Sequence, residues 1–157
     1  ASAEHLILAY NNTFDFPFKM VRMSNNYGPR QHSEKFLPTI LRSLKHKSKI
    51  PLYGTGENVR DWIYVGDSAK IIYNIAKNAP INEIYNISFR DEKTNKEVIT
   101  QVLKRMNLEW DECVEFVPDR LGHDFRYSIT NHKMMQYVDF EQTSFEAGLE
   151  QTIKEYL

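Results

Sequence analysis

Cysteine is nearly absent from the 157-residue sequence: Cys113 stands alone. That excludes an intramolecular disulfide and any cysteine-based metal set, and a reducing, cytoplasmic setting is the expectation. An excess of one charge is absent too. Twenty Lys and Arg against twenty-one Asp and Glu give a formal net charge of -1. No whole-protein field then favours nucleic acid or an anionic membrane, so any anion site must be local. No apolar run approaches the ~20 residues needed to cross a bilayer, and the amino terminus shows no basic segment followed by an apolar one. Neither a membrane partner nor export is expected. Repeats, low-complexity segments and linkers are also missing, which predicts packing as one unit. What is present suits a core: 41% hydrophobic residues, with nine Phe, nine Tyr and two Trp, in a chain long enough to bury roughly 68–70% of its unfolded surface.

The pattern alternates helix and strand, which predicts an α/β fold. Ala1 to Tyr10 reads as helix from its good helix formers. Phe18 to Met23 reads as a strand with Phe18, Met20 and Arg22 on one face. Ser24-Asn25-Asn26-Tyr27-Gly28-Pro29 is dense in turn formers, and a helix follows over about 36–46, with Leu37, Ile40, Leu41 and Leu44 at helical spacing. Leu52-Tyr53 and Val59 to Val65 are extended pieces joined through Gly54-Thr55-Gly56. Gly66-Asp67-Ser68 leads into a helix whose expected apolar stripe is Ala69, Ile72, Tyr73 and Ala76. Pro80 ends it, and Glu83 to Ile87 is a strand. Thr94-Asn95-Lys96-Glu97 has capping-box spacing ahead of a helix lined by Val98, Val102, Leu103 and Met106. Val114 to Val117 is a further strand stopped by Pro118, and a last helix runs from about Ser144.

Several segments could carry chemistry. Gly54-Thr55-Gly56 is followed by Glu57-Asn58-Val59-Arg60 in place of the third Gly and helix of a dinucleotide loop, so it reads as a plain hairpin-like turn. The five histidines have no zinc-ligand spacing, and no metal site is expected. Arg42 to Lys49 is a short basic run without interleaved aromatics, as at a solvated helix end. Asn25 and Asn26 follow the carboxyl end of a strand, where open α/β sheets place ligands, and their amides both donate and accept; an Asn-rich turn is the competing reading. Arg60-Asp61-Trp62 sets a guanidinium in an apolar strand, either as a structural ion pair or as a phosphate clamp. Asp119 to Asp124 is a second Arg-bearing loop.

Taken together, Ser24-Asn25-Asn26-Tyr27-Gly28-Pro29, Glu34-Lys35-Phe36-Leu37-Pro38, Pro51-Leu52-Tyr53-Gly54-Thr55-Gly56, Arg60-Asp61-Trp62-Ile63-Tyr64-Val65-Gly66-Asp67, Tyr85-Asn86-Ile87 and Asp119-Arg120-Leu121-Gly122-His123-Asp124 with Arg126-Tyr127 resemble the nucleotide-sugar 4,6-dehydratases of the extended short-chain dehydrogenase/reductase group. The likeness is strongest to those acting on dTDP-glucose. The resemblance covers nearly the whole chain, in order and spacing. It implies the C-terminal part of a Rossmann-type doubly wound sheet, over residues 1–30, plus the smaller mixed α/β domain that binds nucleotide-sugar, over 31–157. The group's glycine-rich NAD loop, its Asp/Glu dehydration pair and its Tyr-x-x-x-Lys helix are absent from this sequence. No catalytic residue is therefore expected here, and the piece alone should be inactive.

By the same resemblance NAD is the cofactor and a nucleoside-diphosphate glucose the substrate, oxidised at C4, dehydrated across C5 and C6, and reduced at C6. A homodimer is implied for the full-length enzyme. Residue by residue, Asn25 resembles a substrate contact and Asn26 a cofactor contact. Lys35 and Phe36 resemble a substrate-facing helix start, and Pro51, Leu52 and Tyr53 the segment packed on the base. Arg60 and Arg120 resemble diphosphate ligands, Asn95 a further nucleotide contact, and Asp119, Arg120, Leu121, Gly122 and His123 a closing loop. Leu121 departs from the Pro common at that place. A sister epimerase or decarboxylase and a non-enzymatic nucleotide-binding module are the competing readings, and thymine and uracil are not told apart.

Overall fold

The computed structural model describes residues 1–139 and 141–157. Its strands and helices alternate in an α/β arrangement. Helix α1 (Ser2–Phe14) and strand β1 (Lys19–Met23) open the chain, followed by β2 (Asn25–Tyr27), α2 (Phe36–Lys45), β3 (Ile50–Tyr53) and β4 (Val59–Tyr64). Then come α3 (Val65–Asn78), β5 (Glu83–Ile87), β6 (Glu92–Thr94), α4 (Asn95–Met106), α5 (Trp110–Cys113) and β7 (Val114–Val117). A two-residue strand β8 (Arg126–Tyr127), a 3-10 turn (Met134–Gln136) and α6 (Phe145–Tyr156) complete it.

Parallel pairing dominates among the described residues. β1 pairs with β5, β2 with the end of β4, and β3 with β7, all in parallel; β8 also runs parallel to the start of β4, while β6 pairs there antiparallel. β4 is the divider of the molecule, because its side chains alternate between faces. Trp62 joins a core with Leu37, Ile40, Leu41, Leu52, Val102 and Leu149, whereas the adjacent Ile63 joins another with Ile71, Ile75, Tyr85 and Ile87.

Local chemistry accounts for the element ends. The Thr94 hydroxyl accepts from the Glu97 N–H at 3.0 Å, and the Glu97 carboxylate accepts from the Thr94 N–H at 2.7 Å, so the capping box is formed. At α6 the Ser144 hydroxyl accepts from the Ala147 N–H. The ammonium of Lys19 donates to the carbonyls of Ile75 and Ala76 at the end of α3, where the helix dipole favours a cation.

Four expectations need correction. The Asn-rich stretch is not wholly turn: Asn25–Tyr27 forms β2, with Asn25 opposite Trp62 and Tyr27 opposite Tyr64. The Gly54-Gly56 turn exists, with φ of 56° and 75°, but it is no hairpin, since β3 and β4 belong to different sheets. The buried stripe of α3 is Ile71 and Ile75, while Ala69, Ile72, Tyr73 and Ala76 face outward. Both sets have helical spacing. What selects between them is Asp67, fully buried, whose carboxylate accepts from the Thr143 N–H at 2.8 Å and hydroxyl at 3.0 Å and so sets the rotation of the helix. Helix α1 runs four residues further than its pattern suggested and buries none of its residues; it is tied to β1 by the bidentate Glu4–Arg22 pair.

Candidate functional site

Strand alternation brings the site together. Arg60 and Trp62 share one face of β4, and Pro51 and Tyr53 share one face of β3. All four line a cavity of about 390 Å³, with Asn25 of β2, Glu34, Lys35, Phe36 and Thr39 around the start of α2, Asn95 at the start of α4, and Arg120 and His123. The same alternation turns Asp61 to the opposite face, where it is fully buried and accepts from the Asp91 N–H at 3.0 Å. An Arg60–Asp61 ion pair is therefore not made.

Two hollows continue the cavity at its ends. One, of about 240 Å³, is bounded by Arg60, Arg120, Leu121, Gly122, His123 and Asp124. The other, of about 360 Å³, is bounded by Asn25, Asn26, Gln31, Lys35, Phe36 and Trp62. The result is a trough with guanidinium groups at one end and paired amides at the other.

The cationic end is strongly polarised. Burial lowers the Arg60 pKa from its ordinary value, and the nearby positive charge of Arg120 lowers it further against the pull of Asp124. Arginine nevertheless stays protonated. Among the described residues neither guanidinium has a carboxylate within ion-pair distance. Arg60 Nη1 donates to the carbonyl of Val59 at 2.7 Å and Nη2 to that of Asp124 at 2.8 Å. These bonds fix the guanidinium plane while leaving some of its five N–H donors for the cavity. Arg120 lies over the Tyr53 ring at 5.9 Å, an approach that orients a cation without neutralising it. Two such groups held side by side against like-charge repulsion suit a multiply charged anion, and planar forks suit phosphate oxygens.

The amide end divides its labour. Asn26 is committed to the protein: its Nδ2 donates to the Ser24 carbonyl at 3.1 Å, and its Oδ1 accepts from the Ser68 hydroxyl at the start of α3. Gln31 braces the same residue by donating to its backbone carbonyl at 2.8 Å. The Asn25 side chain, by contrast, opens on both the cavity and the adjoining hollow. Beneath this end Tyr27, 2% exposed, donates to the Phe145 carbonyl at 3.2 Å. Burial raises its pKa far above the ordinary phenol value.

Of the residues singled out from the sequence, Asn25, Lys35, Phe36, Pro51, Tyr53, Arg60, Asn95, Arg120 and His123 meet in the cavity. Leu121 and Gly122 reach the small hollow, and Asn26 the larger one. Leu52 does not reach the trough with its side chain: it is 1% exposed, in the core, because it sits between Pro51 and Tyr53 on a strand. Asp119 stands behind the cavity, against Gly54 and His123. Glu34, Thr39, Trp62 and Gln31 line the trough without having been assigned a role there, although Glu34 and Trp62 fall within the motifs named from the sequence. For Thr39 and Trp62 the signal was available as helical spacing from Phe36 and two-residue spacing from Arg60.

Comparison with known proteins agrees with this architecture. The family model described as the NAD dependent epimerase/dehydratase family matches residues 1–88. The low-salt glycan biosynthesis protein Agl12 of Haloferax volcanii is 38% identical across the whole chain, which corresponds to 50% of that protein. The crystal structure of dTDP-glucose 4,6-dehydratase from Bacillus anthracis in complex with NAD superposes with a TM-score of 0.91 at 39% identity, covering 99% of this chain and 49% of that one. That of a DesIV double mutant, a dTDP-glucose 4,6-dehydratase of Streptomyces venezuelae with NAD and DAU bound, gives 0.92 at 35% identity over 98% and 48%. The chain spans about half the length of the curated relatives it matches.

Proposed function

The chain belongs to the NAD dependent epimerase/dehydratase family, and from that premise we propose that it is the substrate-holding half of an NAD-dependent nucleotide-sugar 4,6-dehydratase acting on a nucleoside-diphosphate glucose. The observation that carries this reading is the convergence of Arg60 and Arg120 on one trough that runs on to Asn25. A diphosphate is the ligand group that two unneutralised guanidiniums fit, and the cavity of about 390 Å³ that they share with Asn25 leaves room for the sugar.

In this reading Arg60 and Arg120 bind the diphosphate, Tyr53 and Pro51 offer apolar surface to the base, and Asn25 hydrogen-bonds the hexose. Lys35 and Thr39, from the first turn of α2 and its approach, add donors along the sugar. Binding energy gathered at the remote nucleotide then orients the reacting carbons, so these residues assist catalysis without touching a transferred proton or hydride. NAD, when bound, supplies a reversible hydride acceptor. The resemblance places Asn26 against one edge of it, just beyond the carboxyl end of β1, the position at which open α/β sheets hold ligands; its amide is engaged by Ser24 and Ser68 here, so its part is to shape that edge. The remainder of the cofactor site and the proton-transfer groups belong to the other half of the full-length enzyme, which we propose to be a homodimer.

The test is the product formed by the full-length enzyme from dTDP-glucose in the presence of NAD, identified by NMR. A 4-keto-6-deoxy sugar supports the reading. A C4 epimer or a pentose overturns it in favour of an epimerase or a decarboxylase.

A further inference from the structure

Asp119 lies behind the trough, yet it governs a side chain that lines it. Its Oδ1 accepts from the Arg120 backbone N–H at 2.9 Å and lies 2.7 Å from His123 Nδ1. Its other oxygen abuts the β3–β4 turn: a Cβ at Gly54 would stand 3.0 Å from Asp119 Oδ2. The carboxylate, 44% exposed, is held by hydrogen bonds within its own loop and lies beside the neighbouring turn. An aspartate is ionised at neutral pH and can then only accept, and the same oxygen already accepts from the Arg120 N–H. The shared proton therefore resides on Nδ1.

The imidazole lies deeper than its partner. Its side chain is 5% exposed, and it lines both the main cavity and the small hollow next to Arg60 and Arg120. Nε2, across the ring from the Asp119 bond, has no protein partner among the described residues. A neutral imidazole with Nδ1 protonated presents a lone pair at Nε2.

We propose that Asp119 is a positioning residue, fixing His123 as the Nδ1–H tautomer so that Nε2 accepts a hydrogen bond from a hydroxyl group of the bound nucleotide-sugar, beside the two guanidinium donors. The proposal rests on the nucleotide-sugar reading above and sharpens it. A site with two cationic donors and one fixed acceptor recognises a diphosphate that carries a neighbouring hydroxyl. Against a diphosphate esterified at both ends and lacking hydroxyl groups the acceptor gains nothing, because its oxygens carry no proton to offer it.

The full-length enzyme, stripped of NAD so that no turnover occurs, tests this by calorimetric titration with dTDP-glucose and, separately, with dimethyl pyrophosphate, whose oxygens are all ionised or esterified. Asp119→Asn keeps the size of the group that touches Gly54, and His123→Phe keeps the ring without its nitrogens. Each substitution is expected to weaken dTDP-glucose binding roughly three- to tenfold, the scale of one lost hydrogen bond. The double variant is expected to be no weaker than His123→Phe alone, since both remove the same contact. Affinity for dimethyl pyrophosphate is expected to stay within a factor of about two. Additive losses for dTDP-glucose, or an equal loss for dimethyl pyrophosphate, would overturn the proposal. Long-range proton–nitrogen NMR reads the tautomer without any ligand: Nδ1–H in the wild type and a shift toward Nε2–H in Asp119→Asn support it, and Nε2–H in the wild type refutes it. If the wild-type enzyme binds neither compound, the nucleotide-sugar reading fails, while the tautomer spectrum still judges the role of Asp119.

Discussion

Gly148 sits inside α6, where replacement by alanine would ordinarily stabilise a helix by about 1 kcal/mol. Here the opposite is expected. A Cβ at that position would lie 2.4 Å from Tyr27 Oη, 3.0 Å from Tyr27 Cζ and 2.8 Å from Tyr64 Cδ2. To restore an ordinary carbon–oxygen separation of about 3.3 Å, one partner must retreat by about 1 Å. Tyr27 cannot retreat freely: it is 2% exposed, its ring meets those of Trp62, Tyr64 and Phe145 at 4.9–6.0 Å, and its hydroxyl is bonded to the Phe145 carbonyl. Overpacking costs about 1–3 kcal/mol, and loss of the hydroxyl bond adds about 1. Set against the propensity gain, Gly148→Ala should destabilise the chain by about 1–3 kcal/mol, measured by urea denaturation. Tyr27→Phe in that background should restore part of the loss, since it removes the shortest contact and leaves Tyr64 in place. Because Tyr27 follows Asn25 and Asn26 in β2, the substitution should also shift the NMR signals of those amides. A Gly148→Ala chain as stable as the wild type, or more so, would refute the argument from close approach.

Thr94→Ala removes the hydroxyl that caps α4 and should cost about 0.5–2 kcal/mol, read from the same denaturation midpoint; an unchanged midpoint would show that the box contributes nothing. Glu92 is held down to about 2, first by the Arg126 hydrogen bond and then by that of Ser128. The stability contributed by this depressed carboxylate is present above the ordinary Glu pKa of about 4.3 and is lost as pH falls through about 2. With Arg126 59% exposed, its size belongs to the range of about 0.2–1 kcal/mol found for surface pairs. Glu92→Gln should flatten the decline of stability between pH 5 and pH 2 by about that amount, and an identical pH profile would count against the clamp.

The residues of the trough are named through the family resemblance, whereas the elements that carry several of them are legible in the amino-acid order from its periodicity. The helix at Phe36–Lys45 and the Thr94–Glu97 box are local features, decided within a few residues of chain. What could not be read is which of two equivalent settings a segment adopts when a distant group decides. The α3 stripe is the clearest case. Ile71 with Ile75, and Ile72 with Ala76, are equally good patterns, and the choice rests on Asp67 meeting Thr143 from 76 residues away. Similarly, nothing near Asn25–Tyr27 announces a strand; β2 exists because the end of β4 offers it a parallel edge. Short strands β6 and β8 depend on β4 in the same way. At the site, alternation on β3 separates Leu52 from its two neighbours, a distinction visible in the pattern once the strand is recognised. The role of Asp119 required the fold, since its contact with Gly54 joins loops 65 residues apart.

Arg120 offers the most direct test of the trough as an anion site, because its guanidinium is held by the Tyr53 ring and by no carboxylate among the described residues, so its removal disturbs little else. The measurement is the calorimetric affinity of the NAD-free full-length enzyme for dTDP-glucose, wild type against Arg120→Ala, at low and high salt. The expected result is a loss of roughly 10- to 100-fold, the scale of charge-assisted hydrogen bonds, together with a weaker dependence of affinity on salt. Equal affinities and equal salt dependence for the two chains would contradict a diphosphate held between Arg60 and Arg120.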